Sequence, residues 1–348
     1  MSADIEEDAD GVAMFCASCG IVGGDDDNKL KNCTGCYLVR YCSVKCQRDH
    51  RSKHKRECKK RAAELRDEIL FKQPESNHHG DCPICCLPMP NDSEKSTLMS
   101  CCSKYICSGC YRANKEREYE GRLEHKCALC RKAAAGTYEE QIERLMKRIE
   151  ANDPVAICHF GTKRDVEGDY KSAFEYWAKA AVLGDARANY GLSVMYRKGK
   201  SVEKDEKKEL HHLTEAAIAG HPDARHNLGC LEERRGRMDR AVKHWIIAAK
   251  LGHDNSLECV KGLYKDGYVS KEDFATALRG HHAAIEATKS PQREEAAEKL
   301  RSGSRSVKGE GSNIGSILTA HIQCKTTKSS TRNNIISVII LSLDIYNK

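Results

Sequence analysis

The 348-residue sequence predicts a mostly α-helical protein, in which two small cysteine-rich fingers precede an α-solenoid of helix-turn-helix repeats. Sixteen of the twenty cysteines fall between Cys16 and Cys130, mostly as C-x2-C pairs, which is how tetrahedral metal sites are spaced. After Asp153 a short motif recurs at intervals of 36, 32 and 35 residues, closing at Gly184, Gly220, Gly252 and Ala287. A period of this size is typical of stacked helix pairs.

Composition excludes several other classes of protein. The chain is 40% apolar but only 6% aromatic, which suits helical cores better than a large sheet. The first ten residues lack the basic and apolar segments of a signal peptide, and no apolar run reaches the roughly 18 residues that span a bilayer. We therefore expect reduced cysteines, no membrane association and a location in the cytoplasm, the nucleus or both.

The net charge of +7 is distributed unevenly. Residues 1–27 carry eight acids and no Lys or Arg, whereas residues 45–61 carry nine bases against two acids. No aromatic residues alternate with these bases to stack on nucleobases, so a solvated helix face is the simpler interpretation. Other proteins are the expected partners, and nucleic acid is disfavoured.

The predicted organisation has seven segments. They are a disordered acidic lead (1–15), a first finger (16–58), a linker with a short helix (59–81), a second finger (82–131), a linker helix (138–152), the repeats (153–287) and a low-complexity tail (288–348). The tail ends in an apolar stretch, "IISVIILSLDIY", that favours β-structure.

The first finger offers eight ligands, enough for two tetrahedral zinc ions. The ligands are Cys16, Cys19, Cys33, Cys36, Cys42, Cys46, His54 and Cys58. The stretch "CTGCYLVRYCSVKCQRDHRSKHKREC" resembles a MYND finger, with His50 where that family usually has Trp. The resemblance implies interleaved sites, Cys16, Cys19, Cys42 and Cys46 on one ion and the other four on the second, and a protein-binding role.

The second finger contains the stretch "CPICCLPMP" and a further set of cysteines. With interleaved pairing, one site takes Cys82, Cys85, Cys107 and Cys110. The second site takes Cys102, Cys127 and Cys130 and then needs one more ligand. Either Cys101, which we favour slightly, or His125 completes it, or the site is weak. The total expected is four zinc ions per chain, or three if this last site fails.

The order of these pairs resembles a RING finger, although Lys104 stands where that family has a His ligand and Ala128 where active members often have Pro. The resemblance implies recruitment of a ubiquitin-conjugating enzyme through Ile84 and Arg131. The alternative roles are a small-core residue for Ile84 and a solvated charge for Arg131.

The repeats share a pattern of small and large residues. Trp177 and Trp245 each lie seven residues before the closing glycine of their unit. The "A-x-x-x-L/Y-G" and "K-A-A-x-x-G" patterns resemble Sel-one-like repeats over about 153–287, which implies an α-solenoid with a concave face for partners. Three cysteines in the repeats, Cys158, Cys230 and Cys259, are expected to be buried packing residues.

Three pairs of adjacent histidines look like metal ligands: His78 with His79, His211 with His212 and His281 with His282. Adjacent side chains diverge on a helix or strand, so we expect solvated or capping roles.

Two functions follow from these patterns. The first is a zinc-binding adaptor or scaffold whose fingers and repeats hold other proteins. The second is a RING-type ubiquitin ligase, which uses the repeats to select its substrate. A regulator that binds nucleic acid through residues 45–61 is a third possibility. In each case metal replaces an apolar core in the amino-terminal third, and a chelator should unfold that third while the helical array survives.

Overall fold

The computed structural model describes residues 15–23 and 29–303, with side chains up to residue 299. The acidic lead up to residue 14 and the tail after residue 303, with its apolar stretch, lie outside the described residues. The chain divides into two compact units between Gln73 and Pro74. The described residues form twelve α-helices and four short strands, so the mostly α fold class is confirmed. Within them, every helix is too short or too polar to cross a membrane.

The first unit contains a two-stranded antiparallel sheet, β1 (Lys31–Asn32) and β2 (Arg40–Tyr41), followed by α1 (Val44–Leu70). The Ser43 hydroxyl caps α1 by accepting a hydrogen bond from the Cys46 N–H at 3.2 Å. These 27 residues contain no Gly or Pro, so the last helix of the first finger continues through the segment expected to form a separate short helix.

The second finger opens the second unit. Strands β3 (Ser96–Met99) and β4 (Lys104–Cys107) pair antiparallel, after a 3-10 turn at Ser93–Lys95, and α2 (Ser108–Glu120) follows at once. Met89 and Ile106 are fully buried among the cysteines. This finger therefore has a small apolar core in addition to its thiols.

Ten helices follow the finger, and eight of them form four antiparallel pairs. The linker helix is α3 (Tyr138–Glu150), whose Leu145 and Ile149 are buried against the first repeat. The repeat helices are α4 (Pro154–Val166), α5 (Tyr170–Val182), α6 (Ala186–Lys198), α7 (Glu206–Ile218), α8 (Pro222–Arg234), α9 (Met238–Lys250), α10 (Asp254–Lys265) and α11 (Lys271–Ala287). The pairs bear out the predicted helix-turn-helix solenoid.

Tryptophans packed on glycines join helices within a repeat and between neighbouring repeats. Trp177 lies between Gly161 on α4 and Gly191 on α6, and a Cβ on either glycine would come within 2.7 to 2.8 Å of the indole. Trp245 lies against Gly229, where a Cβ would be 2.4 Å from Nε1. The glycines therefore permit the close helix approach that the sequence predicted. The three repeat cysteines are buried packing residues, as expected.

The second finger and the linker residues just before it pack along the turns that precede successive repeats. The His78 N–H donates to the Gly220 carbonyl at 3.1 Å, and the Asn91 amide donates to the Leu251 carbonyl at 2.7 Å. The Arg187 guanidinium lies 4.8 Å from the centre of the Tyr105 ring. The finger and the repeats therefore form one folded unit, with an interface at three neighbouring turns.

Solvated or capping roles are the expectation for the adjacent histidines, whereas in the structure at least one member of each pair is packed against another ring or a carboxylate. His78 is half-buried and stacks on His221 at 4.1 Å. His212 stacks on Tyr196, and His281 is buried with its Nε2 2.8 Å from Asp254. Packing at the helix interfaces therefore removes these imidazoles from water.

A second difference concerns the predicted tail. Residues Pro291–Gly303 form α12, a helix that lies against α2 of the second finger. Helix formation requires only a short polar segment with a cap and a surface to pack on, and composition alone does not reveal that surface.

Candidate metal centres

Four groups of donor atoms lie in the two fingers, and within each group all four atoms are within 4.8 Å of one another. In the first finger, centre 1 comprises Cys16, Cys19, Cys42 and Cys46, and centre 2 comprises Cys33, Cys36, His54 and Cys58. In the second finger, centre 3 comprises Cys82, Cys85, Cys107 and Cys110, and centre 4 comprises Cys101, Cys102, Cys127 and Cys130. The structure thus brings together all sixteen predicted ligands.

The spacing of the donor atoms fits a tetrahedral ion. Four sulfurs at 2.3 Å from zinc would lie about 3.8 Å apart. The observed sulfur pairs include Cys19 to Cys42 at 3.6 Å, Cys33 to Cys58 at 3.7 Å, Cys85 to Cys107 at 3.8 Å and Cys102 to Cys127 at 3.9 Å. In centre 2 the His54 Nε2 lies 3.2 Å from the Cys36 sulfur. None of the described cysteines forms a disulfide.

Four of the C-x2-C pairs share one backbone turn. The residue after the second cysteine has a positive φ in each: Gly20 (76°), Tyr37 (60°), Cys86 (55°) and Arg131 (60°). Its N–H donates to the carbonyl of the first cysteine at 2.8 to 3.0 Å, as Cys86 does to Cys82. This turn directs both thiols to the same side, so the short motif alone positions half of each ligand set.

The remaining ligands come from helices, the cap of α2 and two loops: Cys42 lies in the bend after β2, and Cys101 and Cys102 lie in the turn between β3 and β4. Cys107 is the N-cap of α2, and its sulfur accepts the Cys110 N–H at 3.4 Å. In the first finger Cys46, His54 and Cys58 project from α1, where His54 and Cys58 are one helical turn apart. Each centre therefore joins a local turn to a second element of the same finger.

Electrostatics favours partial ionisation of the centres. Burial alone would raise the pKa of Cys16. Hydrogen bonds from the backbone N–H groups of Cys19, Cys42 and Ser18 outweigh burial and lower the pKa to about 6. The pKa of Cys82 is likewise lowered to about 7 by backbone N–H groups that outweigh burial.

Other thiols in these groups resist ionisation. Burial and then the neighbouring Cys33 raise the pKa of Cys36 to about 12. Hydrogen bonds that the protonated Cys42 thiol makes to Cys19 and Cys46 raise its pKa to about 12. Full deprotonation therefore needs a bound cation, and metal binding must release protons.

The structure favours one of the two candidates for the last ligand of centre 4. The Cys101 sulfur lies 3.3 Å from that of Cys130. His125 instead faces the buried Glu118, with Nδ1 3.1 Å from its carboxylate. Lys104 is exposed on β4. Cys101 therefore joins this donor set, and His125 does not.

The two residues expected to bind partners are exposed, and each lies in or directly after the turn of a C-x2-C pair. Ile84 is 41% exposed within the centre 3 turn, and Arg131 is exposed after the last cysteine of centre 4. Cys86 is exposed and outside the four donor sets. In the first finger His50 bonds to the Tyr41 hydroxyl at 3.1 Å and stacks on the ligand His54.

Two family models match parts of this chain. Residues 16–58 match the MYND finger. Residues 156–185, 186–221 and 222–253 match the Sel1 repeat. The chain therefore contains a MYND finger, which implies zinc, followed by Sel1 repeats, a combination that supports a zinc-binding protein-interaction role.

Other proteins resemble the chain over part of its length. DAP3-binding cell death enhancer 1 of Mus musculus is 28% identical over 203 residues, which cover 47% of this chain and 40% of the relative. A Sel1 repeat protein of Oxalobacter formigenes is 26% identical with a TM-score of 0.32, covering 34% of this chain and 96% of its own. A protective antigen of uropathogenic Escherichia coli with an SLR fold is 22% identical with a TM-score of 0.35, covering 51% and 38%. The chain thus spans two fifths of its curated relative.

Proposed function

We propose that this protein is a zinc-dependent adaptor, in which four structural zinc ions hold two protein-binding fingers and the repeats hold a further partner. The observation that carries the proposal is the set of four donor groups at tetrahedral spacing. Each group uses all four of its ligands, so no coordination position is left for a substrate or a catalytic water. A structural role for the metal fits this arrangement better than a catalytic one.

Metal counting tests the zinc assignment. Purified chain should contain four zinc ions, measured by plasma mass spectrometry. Cys101→Ser should lower the count to three, because its thiol completes centre 4. Cys86→Ser, one residue from a ligand but outside the donor sets, is the matched control and should retain four. A wild-type chain with only three ions, or loss of an ion in His125→Ala, would refute this assignment of centre 4.

Exposed apolar side chains support a protein-binding role for the first finger. Ile21, Val22, Tyr37, Leu38 and Val44 are between 44% and 69% exposed within a segment of fewer than thirty residues. Apolar groups at this density are typical of interaction surfaces. In the repeats, Val182 is 88% exposed at the end of α5.

The relative named for binding DAP3 provides a first partner to test. We expect a DAP3-type protein to bind the zinc-loaded chain, measured by calorimetry. Val182→Asp should weaken binding at least tenfold if the end of α5 takes part, and Val22→Asp if the first finger does. Arg66→Ala, at an exposed position of α1, is the control. Absence of binding in the loaded wild-type chain would exclude this partner class.

A second candidate function is ubiquitin ligation through the second finger. It is favoured by the exposure of Ile84 and Arg131, the two positions that would contact a conjugating enzyme and ubiquitin. In such ligases the protein acts by positioning the reactants.

A reconstituted ubiquitination assay across several conjugating enzymes tests this candidate. Activity should fall at least tenfold in Arg131→Ala, while zinc content stays at four. Lys132→Ala, also exposed and one residue further along, is the matched control. No chain formation with any conjugating enzyme would end the ligase proposal and leave the adaptor.

A further inference from the structure

Helix α12, which follows the last repeat, lies close against the second finger. The Gln292 amide donates to the Gly109 carbonyl at 3.3 Å, and the Lys299 ammonium lies 2.7 Å from the Glu116 carboxylate. A Cβ on Gly109 would come within 3.0 Å of the Arg293 Cα. The two helices therefore touch at a point where α2 has no side chain.

At this contact Arg293 reaches the turn of centre 3. Its guanidinium donates to three carbonyl oxygens, those of Pro88 at 2.7 Å, Thr288 at 2.8 Å and Leu87 at 3.1 Å. It also donates to the sulfur of the ligand Cys85 at 3.2 Å. The Leu87 carbonyl in turn accepts the Cys82 N–H at 2.9 Å, so one arginine binds both the backbone that shapes the turn and one of its thiols.

The charge of the centre gives this contact its significance. Four thiolates around a divalent ion leave a net charge of about −2 within a largely buried site. Three of the ligands, Cys82, Cys107 and Cys110, are at most 4% exposed, so water screens little of that charge. A cation that donates a hydrogen bond to a ligand sulfur offsets the charge, and its planar fork can hold carbonyls at the same time. Groups in such positions commonly change metal affinity 10- to 100-fold.

We propose that Arg293 couples the docking of α12 to the metal at centre 3: α12 slows zinc loss from this centre, and zinc at this centre keeps α12 in place. This inference rests on the proposed zinc at centre 3. Because such coupling is reciprocal, whatever removes the ion must also loosen the helix, and whatever pulls the helix away must weaken the ion. Release of α12 would uncover the face of α2 around Gly109, more than 180 residues away in sequence.

Zinc release and amide exchange together test the coupling. Zinc transfer to a chromophoric chelator is followed in the full-length protein, and the phase missing in Cys82→Ser is assigned to centre 3. Arg293→Gln should speed that phase about tenfold and raise exchange in residues 291–299. Arg293→Lys should lie between, because an ammonium lacks the fork. Lys299→Gln removes an α12 contact that involves no thiol and should stay within about twofold of wild type.

Gly109→Ala gives a second route, since its methyl group would displace α12 while Arg293 remains. It should also speed release from centre 3. An unchanged release phase in both Arg293→Gln and Gly109→Ala would overturn the coupling, even if α12 exchanges faster. Failure of Cys82→Ser to lower the zinc count would instead overturn the zinc assignment of centre 3, so the two failures are distinguishable.

Discussion

The two fingers carry similar ligand sets but are supported differently. In the first finger the buried apolar cluster is Tyr41 with three of the ligand cysteines. In the second, Met89 and Ile106 are fully buried, and the finger together with its preceding linker contacts the repeats at three turns. On the proposed zinc assignment, the first finger depends mainly on its metal, whereas metal, a small apolar core and a protein interface share that role in the second.

Loss of one ligand should give the largest difference between the fingers. Cys36→Ser should unfold residues 29–43, because structural zinc supplies on the order of 10 kcal/mol and little else opposes unfolding. Cys107→Ser should leave residues 89–99 partly protected by their contact with the repeats. Hydrogen exchange followed by mass spectrometry measures both. Equal loss of protection in the two fingers would break the comparison.

Acid should destabilise the second unit by several kcal/mol. Burial lowers the pKa of His159, His212 and His221 to about 4 each. The folded state thus favours neutral imidazole, so the unfolded chain binds more protons and stability falls between about pH 6.5 and pH 4. Both tryptophans lie in the repeats, so their fluorescence during urea unfolding measures this unit alone.

Substitution of a half-buried histidine tests that prediction further. His212→Phe should flatten the pH dependence of repeat stability, whereas His211→Phe, at the exposed neighbour, should not. A stability that is constant from pH 7 to pH 4.5 would contradict the assignment of neutral buried imidazoles.

The repeats should depend on packing and not on metal. Gly229→Ala places a methyl group 2.4 Å from the Trp245 indole nitrogen and should cost about 1–3 kcal/mol, despite the higher helix propensity of alanine. The control is Gly136→Ala, whose nearest contact would be 3.8 Å away. Thermal unfolding of the tryptophan signal measures the effect, and zinc content should stay constant. A fall in zinc content would show that metal binding in the fingers depends on packing in the repeats.

The smallest expected effect isolates one contact between the second finger and the repeats. Tyr105→Leu removes the ring beneath Arg187 and should cost about 1 kcal/mol in the urea unfolding of the repeats. Tyr41→Leu, the corresponding change in the first finger, should leave the repeat transition unchanged. Equal effects of the two substitutions would remove the distinction drawn here.

Local patterns in the sequence were sufficient to predict much of this architecture. The C-x2-C pairs could be identified as ligand pairs because the turn that brings their two thiols together is formed by fewer than ten consecutive residues. The repeats could be identified because Trp177 and Trp245 recur at matched positions. The sequence left Cys101 and His125 both open, since only the fold shows that His125 turns towards Glu118.

Contacts between distant segments could not be predicted in the same way. The hydrogen bond from Arg293 to Cys85 joins residues 208 positions apart, and no pattern in the sequence relates the one to the other. A local signal for α12 did exist, because Ser290 precedes Pro291 and its hydroxyl accepts the Arg293 N–H at 3.2 Å. The low-complexity composition of the following residues obscured that helix start.

The contacts of the second finger and its preceding linker with three turns also bear on the length of the array. A helical solenoid can ordinarily gain or lose a unit, because each unit contacts only its neighbours. Here Tyr105, His78 and Asn91 meet the turns at Arg187, Gly220 and Leu251, one in each of three consecutive units. Deleting one unit would leave one of these three residues without a turn to contact. The spacing of these three contacts thus matches the spacing of three consecutive units, and a shorter array would lose one of them.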